Sequence, residues 1–222
     1  HQMTYITKNR FAMILSENGE NERAVMHLEE SVAGLTGSLG INHHSTLETL
    51  RKLAVVLGSL GWHEKALENL RAVTEASIAL LGPDNPSTLH AQNSLATVLV
   101  RTGKFEEAEK VYRDTLEHWI NTQGEDYAEA ARVRQNLGGL YFDFMNRRDE
   151  AVTQQEHALE SIQRIHGEKH PETLLARSIL GRYQGALGNT DATIVTLEPI
   201  FNELLTQLPD HIEVPKATLT LA

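Results

Sequence analysis

Glycine recurs at Gly19, Gly61 and Gly103, in steps of 42 residues. The series continues at Asn146 and Gly188, after steps of 43 and 42. Asn tolerates the left-handed backbone that Gly adopts freely, so Asn146 reads as a stand-in for glycine. A second column holds Gly40, Gly82, Gly124 and Gly167. A third holds Ala12, Ala54, Ala96, Gly138 and Gly181, and a fourth Ala24, Ala66, Ala108 and Ala151, with Thr193 as its exception. Four columns in one register divide the chain into units of about 42 residues: 1–40, 41–82, 83–124, 125–167 and 168–209, with a sixth begun over 210–222. The stretches "LGPDNPSTL" from Leu81 and "HGEKHPETL" from His166 repeat one phrase at two of the unit boundaries.

Each unit reads as two helices. Leu47, Leu50, Leu53, Ala54, Leu57 and Leu60 are spaced to share one face of a 3.6-residue period. Ala66, Leu70, Val73, Ile78 and Leu81 mark the apolar face of the second helix. Gly61 and Gly82 stop the two helices in turn. Pro86 and Pro171 stand where a first-turn proline is tolerated, and Ser45 with Glu48 three residues on reads as a capping box. No alternating β-branched run argues for a strand. The small residue five places after each glycine lets the paired helices approach. Four places further, Leu28, Leu70, Tyr112 and Leu197 fill the space, with Gln155 a poor match. A lone hairpin cannot bury both faces of its stripe, so the units must stack into an all-α solenoid. The stripe at Ile194, Leu197 and Phe201 is expected to need a neighbour beyond the fifth hairpin.

Composition then removes function classes. The chain of 222 residues carries a formal net charge of −10, which opposes non-specific binding to nucleic acid or to anionic lipid. It has no cysteine, no apolar run of membrane-spanning length and no signal-peptide pattern, and we expect the cytoplasm. The opening His1-Gln2-Met3 is not a natural start, and "LPDHIEVPKATLTLA" reads as a sixth unit in which Pro215 falls in the Thr173 column. We therefore expect a fragment of a longer protein, able to self-associate through the end of its stack.

No chemistry of catalysis is legible. Of the eleven histidines, His43-His44 and His166-x-x-x-His170 are the best metal candidates. But His166 and His170 flank Gly167, so they cannot share a helical face as i,i+4 zinc ligands do. The expectation is no metal, no cofactor and no enzyme activity. Trp62 and Trp119 read as packing or edge residues, and "KFEEAEK" as a solvated face with i,i+4 pairing.

Leu53-Ala54, Leu57, Gly61, Ala66 and Leu70 resemble the tetratricopeptide repeat (TPR). The longer unit, with "LGPDNPSTL", "HGEKHPETL" and "GKFEEAEKVYRDTLE", is similar to the repeats of kinesin light chains. The resemblance runs over roughly residues 4–208. It implies a right-handed superhelix whose first helices line a concave, peptide-binding face. On those helices Asn9, Arg51, Asn93, Gln135 and Ser178 form a polar column. His90 and Arg132 lie three places before it, and Thr97 and Arg182 four places after. Asn9, Arg51, His90, Asn93, Thr97, Arg132, Gln135 and Arg182 are the candidate groove. Amides can pair with a peptide backbone, and guanidiniums with a carboxylate. The expected ligand is an extended protein segment with an acidic side chain or a free C-terminus. The competing reading is a regulatory module of a larger signalling kinase, nucleotide-switch ATPase or transcription regulator. A third use of the polar column is to link neighbouring units.

Overall fold

The computed structural model describes the backbone of residues 2–207 and the side chains of residues 4–200. Among these residues there are ten helices and no strand: α1 (Gln2–Glu17), α2 (Asn21–Leu39), α3 (His44–Ser59), α4 (His63–Leu81), α5 (Pro86–Arg101), α6 (Phe105–Gln123), α7 (Ala128–Asp143), α8 (Arg148–His166), α9 (Pro171–Ala186) and α10 (Thr190–Gln207). Each helix packs on its predecessor and successor. The first helices of neighbouring units also touch, α1 with α3, α3 with α5 and α5 with α7, and so build one wall. The sixth unit expected over 210–222 lies outside the described residues.

The repeated phrase closes each corner. At α4–α5, Gly82 turns the chain at φ 88°. Asn85 Oδ1 accepts the Ser87 N–H at 2.9 Å, and Pro86 opens the helix. Thr88 Oγ1 then donates back to the Gly82 carbonyl at 2.8 Å. Thr46 and Thr173 make the same bond to Gly40 and Gly167, at 2.9 and 2.7 Å. Threonine thus satisfies a carbonyl left over where the preceding helix ends. The capping box expected at Ser45 is not formed. His43 is the N-cap, and its Nδ1 accepts the Ser45 N–H at 3.1 Å. His170 does the same for Glu172 at 3.3 Å. An imidazole nitrogen at this place substitutes for the Asn85 amide oxygen. At the glycine-series position of the fourth unit, Asn146 is left-handed at φ 53°, as its column requires.

The small columns are places of close helix packing. Ala12, Ala24, Ala54, Ala66, Ala96, Ala108 and Ala151 are all fully buried. A Cβ on Gly181 would stand 2.6 Å from Leu197 Cδ2. Leu197 therefore fills the hollow of its own hairpin, as its place in the large column implies, instead of joining the outward seam also expected for it. Ile194 and Val195 do face outward, 46% and 70% exposed, and the Phe201 side chain lies outside the described residues. Gln155, the mismatch in the large column, is fully buried and donates Nε2 to the Ala176 carbonyl at 2.8 Å. In the fifth unit Thr196 Oγ1 donates to Gln184 Oε1 at 2.8 Å.

Charged side chains on the second helices do more than stay solvated. Glu107 pairs with Arg71 of the preceding unit at 2.6 Å. Glu109 pairs with Arg113 at 3.1 Å, the i,i+4 contact, and with Arg147 of the next unit at 2.8 Å. "KFEEAEK" is thus partly a strap between units. None of the described helices is long and apolar enough to cross a membrane.

Candidate functional site

The candidate groove on the first helices divides into two kinds of residue. Three of its members reach the next unit. Asn9, 6% exposed, donates Nδ2 to Thr49 Oγ1 at 2.7 Å. Arg51 Nη1 donates to Ser94 Oγ at 3.2 Å. Asn93 Oδ1 accepts from Asn136 Nδ2 at 3.1 Å. Each partner sits one unit along, so this ladder ties the wall together. Arg51 also grips Glu48 with Nε and Nη2, at 2.9 and 2.7 Å. Burial alone would raise the Glu48 pKa; the Arg51 fork outweighs it and holds the carboxyl below its ordinary value. Thr97 bonds inward, to the Asn93 carbonyl and to Tyr112 Oη at 2.9 Å.

The second kind stays open to solvent. The Arg132 side chain is 52% exposed and pairs with Glu129, one turn back on α7. The His90 side chain is 34% exposed, with Nδ1 3.9 Å from Glu129 Oε2. Its ring stands edge-on to Trp119, which is 1% exposed, at 5.5 Å between centroids. Burial, with help from the Arg51 and Arg132 charges, lowers the His90 pKa. The ring is therefore neutral at pH 7 and offers one donor and one acceptor. Arg51, His90 and Arg132 come from three consecutive first helices, so the stack sets them in a row.

A cleft of about 380 Å³ opens beside this row. Arg132, Gln135 and Glu129 of α7 form one side, and Glu172 and Leu175 of α9 the other. Ile162, Ile165 and His166, in the last turns of α8, lie between them. Leu175, in the column of His90 and Arg132, is 60% exposed and gives the cleft an apolar edge. Arg182 lies elsewhere on α9. It pairs with Asp143 at 3.4 Å, and its guanidinium is 5.1 and 5.0 Å from the Phe142 and Tyr183 ring centres.

Sequence reasoning picked Arg132 and Gln135 from the columns but missed what surrounds them. Glu129 and Glu172 share one column four places before Val133 and Ala176 and could have been found by the same counting. The support of His90 by Trp119 could not, because the two belong to different helices. His166 and His170 share no helical face, yet their rings stack at 4.4 Å across the Gly167 turn. The i,i+4 rule applies within one helix, and this pair spans a corner.

A family model described as tetratricopeptide repeat matches residues 3–79, 60–117, 87–160 and 136–194. No curated protein matches the sequence. Among solved structures, the chain is similar to a Podosopora anserina protein with nearly identical kinesin light chain TPR-like repeats. That likeness is 22% in identity, covers 95% of this chain and 99% of the other, and has a TM-score of 0.76. BtubC (BKLC) of P. vanneervenii is also 22% identical, over 95% of this chain and 83% of its own, with a TM-score of 0.75. A Rap protein complexed with Competence and Sporulation Factor is 14% identical over 93% of this chain and 55% of its own, again with a TM-score of 0.75. The family match and the stacked hairpins agree: the chain belongs to the tetratricopeptide repeat family.

Proposed function

We propose that this chain is a non-catalytic scaffold that seats an extended protein segment along the wall of first helices. The observation that carries the reading is the cleft between α7 and α9. It joins a half-exposed guanidinium, Arg132, to an amide, Gln135, and an apolar edge, Leu175. A carboxylate takes the guanidinium, a peptide carbonyl or N–H takes the amide, and an apolar side chain covers Leu175. The neutral His90 extends the donor–acceptor row toward α5. The Rap structure with its bound factor supports this use of the fold. Asn9, Arg51 and Asn93 support the groove from behind by tying its helices together.

The ligand is therefore a segment with an acidic side chain or a free C-terminus near the α7–α9 cleft. The test is an array of short peptides with acidic or neutral side chains and free or amidated ends, probed with wild type and Arg132→Ala. The exposed Arg132–Glu129 pair contributes only about 0–1 kcal/mol to folding. A charged ligand contact is worth about 1.5–3 kcal/mol, so affinity should fall roughly ten- to a hundredfold while the melting temperature holds. No preference for acidic or free-ended peptides, or equal binding by the variant, removes the reading.

A further inference from the structure

We propose that His166, His170 and Glu172 form a site for one divalent transition-metal ion of the zinc class, at the α8–α9 corner. One ligand atom from each of the three lies within 4.8 Å of the other two. His166 Nε2 is already 3.0 Å from Glu172 Oε2. The two imidazole rings lie 4.4 Å apart with an interplanar angle of 16°. Two imidazoles and one carboxylate are a donor set that suits zinc, nickel or copper and is poor in oxygen for calcium or magnesium.

The corner builds this set from the repeat itself. Gly167, at φ 86°, turns the chain back on itself, and so brings a residue before it next to residues after it. His170 stands at the N-cap place, where Asn85 and His43 stand in other units. His166 stands where the others carry Leu39, Leu81 and Gln123. Of the described corners, this is the one at which three ligating side chains converge. His166 also lies in the last turn of α8, where the helix dipole favours a cation. His166 and Glu172 face the cleft of about 380 Å³, which leaves room for water to complete a tetrahedral shell. Of the nearby arginines, Arg132 pairs with Glu129 and also feels the Glu172 charge, and Arg164 pairs with Asp126 and Glu160.

Binding has one local cost. His170 Nδ1 now accepts the Glu172 N–H at 3.3 Å, which places the ring proton on Nε2. When Nε2 binds the metal, the proton resides on Nδ1 and that cap bond is exchanged for the metal bond. His170→Asn separates the two roles, because Asn keeps the cap, as Asn85 does, and ligates no metal through a ring nitrogen.

The experiment is calorimetric titration of the whole chain with Zn²⁺ alone at neutral pH, for wild type, His166→Ala, His170→Asn and, as a control at another corner, His43→Asn. Wild type and His43→Asn should bind one Zn²⁺ with equal affinity, and Zn²⁺ should raise their melting temperature. His166→Ala and His170→Asn should bind at least about tenfold more weakly. Metal-free His170→Asn should melt with the wild type, which separates ligation from folding. Equal Zn²⁺ binding by wild type and either variant, or weakening by His43→Asn to the same degree, overturns the site. Peptide binding is absent from this titration, so its outcome is independent of the proposed scaffold function.

Discussion

The corners α4–α5 and α6–α7 do the same job with different means. At α4–α5 the corner closes on itself: Asn85 caps, Pro86 starts the helix, and Thr88 bonds back to Gly82. At α6–α7 the turn glycine is kept, Gly124 at φ 90°, but the rest of the phrase is lost. Tyr127 is the N-cap and makes no side-chain cap bond, and Ala130 replaces the threonine. Neighbouring elements take over. The Tyr127 ring packs 5.0 Å from that of Trp119. Ser161 Oγ donates to the Glu125 carbonyl at 3.2 Å, and Arg164 pairs with Asp126 at 2.5 Å. The first corner has its own cap and threonine bond, with outside contacts from His118 to Asp84 and from His44 to Ser87 added to them, whereas the second has the outside contacts without the cap or the threonine. The difference teaches that the glycine turn is the part of the phrase the fold cannot drop, and that capping can be exchanged for packing.

The largest expected effect comes from removing what the second corner leans on. Trp119→Ala takes away a side chain only 1% exposed and should cost about 3–5 kcal/mol in denaturant unfolding. It should also free His90, seen as a rise in that ring's pKa by NMR titration. Tyr127→Asn trades the ring for a cap and should lose about 1–2 kcal/mol net, since the aromatic contact and its burial outweigh one capping bond. A gain from that variant would mean that packing does not hold the corner. Asn85→Ala should cost about 1 kcal/mol, by loss of the cap alone. A cost near zero would mean that Thr88 and Pro86 suffice. The smallest effect sharpens the comparison: Ala130→Thr should restore the bond to Gly124 and raise stability by about 0.5–1 kcal/mol. Thr46, Thr88 and Thr173 are fully buried in the same column, as Ala130 is.

Much of this architecture is legible from spacing, because a repeat states each local choice several times. Asn146 is a case: its φ of 53° follows from a column, not from its own neighbours. The cap at His43 was legible too, from alignment with Asn85, but a rule that favours Ser at helix starts pointed to Ser45 instead. The candidate site was less legible. Columns locate Arg51 and Arg132 equally well, yet Arg51 bonds Ser94 and Glu48 while Arg132 stays half exposed. What separates them is the residue one unit along. Ser94 and Asn136 meet the column from the next first helix, and no periodicity within one helix reports that. Leu197 was claimed both by the large column and by the outward stripe, and the hollow at Gly181 on the facing helix decides for the column.

The threonine bond spans only six residues, and helices touch almost solely their neighbours along the chain. Contacts this local keep the contact order low, so little loop entropy is lost before each one forms. Structure can start at any self-closed corner and spread outward, hairpin by hairpin. The corner α6–α7 is the exception, because it needs α8 and the Trp119 side chain in place. It should therefore be where growth from the two halves of the stack joins last. Refolding would then be rate-limited by a step that depends on Trp119 and Tyr127 and is indifferent to the Asn85 cap.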